Sequence, residues 1–359
     1  MLTAIIFIIV LGILVLAHEF GHFYVAKKAG MKVEEFGFGF PPRLIGVKRG
    51  ETVYSLNWIP FGGFVKIYGE DGEDRGNSRS FASKPAGKRA QVIVAGVLMN
   101  FLLAAALLGF GNFLGLRVGL IGNEDFTAKD IKIQIIQVSQ DSPARLAGLK
   151  TLDEIKRLQK GEDALQPKTV EEVQNFVKKY GGEEIVLTIA RNNGEVDLKL
   201  VSRKDPPVGQ GAIGVNLAKT GVVSYPWYEA IWRGIRDTGA IAVNITAALG
   251  LFFKNLFIDS NLIGDVSGPI GIAVLTGQAA GLGFNYFLQF VALLSINLAV
   301  LNIIPFPALD GGRLFFIGLE KLKGSPVPKK IEGFVNAAGF AFLIALMIWI
   351  TVKDVSKFF

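Results

Sequence analysis

His18 and His22 stand four residues apart in the segment His18-Glu19-Phe20-Gly21-His22. On a helix, residues i and i+4 share a face, so the two imidazoles can hold one metal ion. Glu19 lies beside the first of them, where its carboxylate can take a proton from a water that the metal activates. The chemistry such a set supports is metal-assisted hydrolysis with the glutamate as general base. These are the only two histidines in 359 residues, and they fall in an apolar run that ends only at Lys27. Ionisable groups inside such a run are costly and point to function. A pair of core histidines with a snorkelling glutamate is the plain alternative, but no cation earlier in the run could pair with Glu19.

The set needs a third protein ligand. The chain has no cysteine and no further histidine, so disulfides and thiolate ligands are excluded and a carboxylate must complete the site. Asp310 is the best candidate. Pro305 and Pro307 break the preceding helix and leave Asp310 in non-helical backbone at membrane depth. Glu320, Asp259 and Asp265 lack such a context. The alternative is that Asp310 merely caps the following helix.

These residues must be positioned by membrane helices. The chain is 50% hydrophobic, which suits an integral membrane protein with a soluble insert. Its net charge of +7 reads as the lysine and arginine bias of cytoplasmic loops, and no nucleic-acid partner is expected. Four transmembrane helices are expected, at about 2–25, 90–116, 285–304 and 333–352. The first lacks a basic leader and a small-x-small cleavage site, so it reads as a retained helix. Lys27, Lys28 and Lys32 follow it and no positive residue precedes it, which puts the N-terminus outside. For Asp310 to reach His18 and His22, the first and third helices must end on the same side. The lysines at 321, 323, 329 and 330 then lie in the cytoplasm and the C-terminus outside. That parity leaves 224–258 as an outer-face amphipathic or partly embedded helix, although its apolar stretch is long enough to span. Ser267 to Ile272 reads as a turn and a short helix. In the second helix, Asn100 reads as a packing hydrogen bond, with a site-facing role as the alternative.

Two stretches are not helical. Between 33 and 87, an aromatic, glycine-rich segment from Phe36 to Pro42 precedes two short strands, 52–56 and 64–68, separated by Pro60, Gly62 and Gly63. A sheet dipping into the membrane face beside the metal could pair its free edge with an extended substrate. Residues 69–80 read as a mobile polar loop. Residues 117–222 are rich in balanced charge, with strands at 133–138, 184–189 and 196–200 and a helix at 170–180. This is a soluble α+β module, outside by helix parity. The domain plan is therefore 1–116 with its reentrant β region at 33–87, the module at 117–222, the embedded region at 223–284, and 285–359.

The chain resembles the site-2 protease family of intramembrane zinc metalloproteases, of the bacterial regulator-of-sigma-E type with a single PDZ domain. His18-Glu19-Phe20-Gly21-His22 is similar to the family's first motif. The run from Asn302 through Pro305, Pro307 and Asp310 to Gly311 is similar to its second. Ser267 to Gly271, Asn57 to Val65, and Asp141-Ser142-Pro143-Ala144-Arg145-Leu146-Ala147-Gly148-Leu149, which is like a PDZ segment, add to it. The resemblance implies Zn2+ held by His18, His22 and Asp310, with Glu19 as catalytic acid and base. It also implies that Asn297 and Asn302 hold the substrate backbone, and that Gly37, Phe38 and Gly39 form the reentrant edge that aligns it. The implied substrates are single-span membrane proteins such as anti-sigma factors or signal-peptide remnants, cut in the inner membrane. The PDZ-like module would take a peptide or a substrate domain. It has Thr151-Leu152-Asp153 where the family has Gly-Asp, so carboxylate capture is not implied. The family's Trp and Pro are replaced by Gly87 and Val97. Two other readings are a PDZ adaptor tethered to the bilayer with an inactive metal site, and a zinc peptidase that trims surface loops.

Overall fold

A computed structural model describes residues 2–72, 74–120, 128–191, 194–207, 210–256 and 268–358. Asp259, Asp265 and Ser267 lie outside these. The chain forms two compact units, residues 1–111 with 227–359, and residues 112–226.

In the first unit, α1 (Leu2–Lys28) and α2 (Ala86–Leu114) cross at glycine. A Cβ on Gly21 would stand 2.3 Å from the Ala95 carbonyl oxygen, so only glycine permits this approach. Then come α5 (Trp227–Leu256), α6 (Pro269–Gly281), α7 (Phe284–Ile303), α8 (Asp310–Lys323) and α9 (Lys329–Phe358). Five described helices are long and apolar enough to cross a membrane, the four expected and one more whose length was already expected to allow a span. The fifth lies at Trp227–Phe252. Its charged residues lie in its first turns, apart from Lys254 in the last, whereas the amphipathic reading rested on helix parity. Its first turns pack on α2, where a Cβ on Gly234 would meet the Ala105 carbonyl oxygen at 2.5 Å. α6 packs at the start of α1, with Gly277 against Thr3.

The region after α1 differs from the two short strands expected. Two long strands, β1 (Val33–Arg49) and β2 (Thr52–Ile67), pair with repeated register shifts. Residues 45–49 pair antiparallel with 52–56, and 35–38 pair antiparallel with 63–66. Residues 35–38 also run beside 53–56 in a register that rises together. Each strand therefore doubles back, and four rungs lie in the order 45–49, 52–56, 35–38, 63–66. Pro60 is accommodated near the bend of β2, close to Gly62, whose φ is +84°. Gly39, with φ +77°, serves the bend of β1. The polar residues after β2 make fixed contacts: Arg79 bonds Glu51, and Arg313 Nη1 donates to Glu70 Oε1 at 2.6 Å.

The second unit is one seven-stranded sheet. Its elements are β3 (Leu116–Gly119), β4 (Lys129–Val138), β5 (Glu154–Lys160), β6 (Asp163–Leu165), β7 (Glu184–Arg191), β8 (Gly194–Val201) and β9 (Val215–Val223). The order is β3-β9-β4-β5-β7-β8, with β6 on β5. α4 (Val170–Lys179) buries Val173, Phe176 and Val177 with Ile135, Leu158, Leu187 and Ile189 of the sheet. α3 (Pro143–Leu146) starts at Ser142, whose side chain accepts from the Arg145 amide. β3, β5, β6 and β9 add to the strands expected, and short mixed-polarity runs such as Glu154–Lys160 carry little alternation to reveal them.

Candidate metal centre

α1 presents His18 and His22 on one face, as the i, i+4 spacing requires. α7 ends at Ile303 and the chain turns through both prolines, so that Asp310 opens α8 against α1. Asp310 Oδ2 lies 3.0 Å from His18 Nε2 and 3.3 Å from His22 Nε2. The two Nε2 atoms are 3.2 Å apart. Zinc–ligand distances of about 2.0–2.1 Å in a tetrahedron put ligand atoms about 3.3 Å apart, close to this triangle. Asp310 Oδ2 is buried without a hydrogen-bond partner, an orphaned acceptor aimed between two imidazole nitrogens. Such a donor set suits a divalent cation of zinc's preferences. His18, His22 and Asp310 form the candidate metal cluster among the described residues.

α2 supplies the back wall. His22 Nδ1 faces the Val92 carbonyl oxygen at 2.8 Å, which leaves Nε2 for a metal. Asn100 is buried and faces His18 Nδ1 at 3.2 Å, so its site-facing reading is the one the structure supports. Gly96 lets the helix come this close: a Cβ there would stand 2.3 Å from His22 Nε2.

A cavity of about 210 Å³ opens beside the cluster, lined by Glu19, both histidines, Asp310, Arg313 and residues 63–65 of β2. Glu19 is thus in the same space as the ligand set. Gly63 packs on α1, where a Cβ would lie 3.3 Å from Glu19 Cγ. α8 is held by two ion pairs, Arg313 to Glu70 and Arg89 Nη2 to Glu320 Oε1 at 2.7 Å. A second cavity of about 260 Å³ shares Glu70, Ile93 and Arg313 with the first, so the ion pair stands between them.

The remaining expected residues are placed differently. Gly37 and Phe38 are not an open edge, because each pairs on both sides, Gly37 with Phe64 and Ser55, Phe38 with Gly63 and Leu56. The carbonyls of Phe38 and Gly39 also accept from Asn57 Nδ2. The rung that borders the cavity is 63–66, which among the described residues pairs only with 35–38. Neither Asn297 nor Asn302 lines the cavity. Asn297 Nδ2 donates to Leu293 O of its own helix at 3.0 Å. Glu320 pairs with Arg89, away from the ligand set. Sequence reasoning did not single out Glu70, Gly96 or Arg313, and it read Gly63 only as a break between strands. A small-residue signal at Gly21 and Gly96 could have marked the helix crossing.

Comparison with known proteins places the site in a family. The model of peptidase family M50 matches residues 6–346. The zinc metalloprotease RasP of Oceanobacillus iheyensis is 30% identical over 443 residues of alignment, covering 100% of both chains. RasP of Shouchella clausii is 30% identical over 439 residues, covering 99% of each. A Clostridium perfringens protein with a provisional zinc-metalloprotease name is 36% identical over 343 residues, covering 95% of each.

Proposed function

The chain belongs to peptidase family M50, the site-2 proteases, and from that premise we propose that it cuts single-span membrane proteins within or beside their membrane segment. It is a zinc metalloprotease and a multi-pass membrane protein. The observation that supports the finer reading is the meeting of His18 and His22, within a helix long and apolar enough to span, with Asp310, just beyond the end of another, beside Glu19.

When bound, zinc supplies Lewis acidity, lowering the pKa of a water toward about 7 and polarising a carbonyl. His18, His22 and Asp310 hold it. Glu19 accepts the proton of the attacking water and returns it to the leaving amine. A helical substrate must first unwind, because its carbonyls are already hydrogen-bonded. The open rung 63–66 can take the unwound segment as an added strand and aim it at the cavity. In this role it replaces residues 37–39. Asn297 and Asn302 are kept as candidate holders of the substrate backbone from the resemblance alone, since neither lines the cavity.

With α5 read as embedded in the outer face and not crossing, the Lys- and Arg-bearing end of α1, start of α2, end of α8 and start of α9 support a cytoplasmic site, with the 112–226 unit and both termini outside a bacterial inner membrane. That unit would act as the PDZ-like module. Its groove of about 320 Å³ is lined by Val173 and Val177 of α4 and Val215 and Leu217 of β9, with Lys178 and Lys204 among its cations. It suits an extended apolar peptide or a substrate domain.

The test is purified protein in detergent with a single-span substrate, the cut mapped by mass spectrometry. A cut inside the span, lost in Glu19→Gln and Asp310→Ala, is expected. A cut only outside the span would favour loop trimming. Wild-type cleavage by Glu19→Gln would refute the mechanism.

A further inference from the structure

Asn100 is fully buried on α2 and turns its amide toward His18. As placed, Nδ2 faces His18 Nδ1 at 3.2 Å, while Oδ1 is buried with no hydrogen-bond partner. The other ring nitrogen, Nε2, points at Asp310 Oδ2 and at His22 Nε2. A neutral imidazole that gives Nε2 to a metal carries its proton on Nδ1. Nδ1 is then a donor and cannot face an NH2 group. His22 shows the resolved form of this problem, its Nδ1 meeting the Val92 carbonyl oxygen at 2.8 Å. For His18 the facing group is the Asn100 amide, whose oxygen and nitrogen ends have the same shape. A half-turn of that amide brings the orphaned oxygen onto the ring N–H.

We infer that Asn100 is a positioning residue of the metal centre: its Oδ1 accepts the His18 Nδ1 proton, fixes the tautomer and aims Nε2 at the metal. α2 then orients both histidines, His22 from the backbone at Val92 and His18 from the Asn100 side chain, two helical turns further on. Ser295 of α7 donates to the Asn100 carbonyl oxygen at 2.8 Å and fixes the backbone at that position. A ring whose tautomer is set before the metal arrives loses less freedom on binding, so this contact acts on zinc affinity.

The inference rests on His18 being a ligand, and the test separates the two. Zinc affinity is measured by chelator competition on full-length, tag-free protein in detergent, for wild type, Asn100→Leu, Asn100→Asp and His18→Ala. Asn100→Leu removes the acceptor and is expected to weaken zinc binding about 10–100-fold. Asn100→Asp keeps the shape and is acceptor-only, so it is expected to bind at least about ten times more tightly than the leucine variant. A packing amide, or one donating through Nδ2, would make the aspartate as damaging as the leucine, and that result overturns the inference. Wild-type affinity in Asn100→Leu overturns it too. If Asn100→Leu fails to fold, Asn100→Asp decides alone, and a tenfold loss there counts against the inference. Wild-type affinity in His18→Ala would instead overturn the ligand assignment.

Discussion

Gly96→Ala is the sharpest test of how α2 meets α1. A Cβ at this position would stand 2.3 Å from His22 Nε2, 2.6 Å from His22 Cε1 and 2.9 Å from His18 Cε1. Ordinary contact begins at 3.4 Å, so the His22 ring must retreat by about 1.1 Å, the difference of 3.4 and 2.3. Metal sites tolerate errors of about 0.2 Å in a ligand distance. The ring cannot swing away cheaply, because its Nδ1 is held by the Val92 carbonyl oxygen. Separating the helices would relieve the clash only by opening the Gly21–Ala95 contact. Either response spoils the triangle, so zinc affinity should fall by about a hundredfold, comparable with the larger losses from outer-shell changes. The assay is chelator competition, with circular dichroism to show that the helices persist. Gly87→Ala is the control: it lies in the same helix with nothing within 4 Å, and should be neutral or stabilising by up to about 1 kcal/mol. If Gly96→Ala binds zinc as Gly87→Ala does, the imidazoles do not lie against α2 and the argument from close approach is wrong.

Two further outcomes are expected elsewhere in the chain. Gly37→Ala puts a Cβ 2.4 Å from the Phe64 ring and 2.9 Å from Ser55 Oγ, so it should displace the open rung. Cleavage of a membrane-segment substrate should drop while zinc content stays at the wild-type level, and lost zinc would mean the sheet does more than align substrate. Arg191→Ala leaves the buried Asp153 carboxylate without its two-pronged partner, whose bonds are 2.7 and 2.6 Å. The 112–226 unit should lose about 3 kcal/mol, read as faster amide exchange in that unit of the full-length protein, and unchanged exchange would count against the pair.

How much of this was legible beforehand depended on how local each signal is. His18 and His22 could be paired from sequence because a helix fixes the i, i+4 geometry without help from the rest of the chain. Asp310 could be proposed because two prolines end a helix wherever they occur, and because no third histidine and no cysteine compete with it. The long apolar helices were readable for the same reason, since length and apolarity are properties of one segment. The doubled-back β1–β2 sheet was not readable. Its order depends on pairings between residues such as Gly37 and Phe64, far apart in the chain, and it made 63–66 the open rung where Gly37 to Gly39 had been expected. Gly96, Glu70 and Arg313 likewise acquire meaning only when α2, α8 and the turn after β2 are packed on α1, and the same packing chose between the two readings of Asn100. Sequence alone determined which side chains can ligate and move protons, because that is chemistry carried by residue type and helical spacing. Only the tertiary structure decided which groups lie against those side chains and which strand edge faces them, because both depend on surfaces brought together from distant parts of the chain.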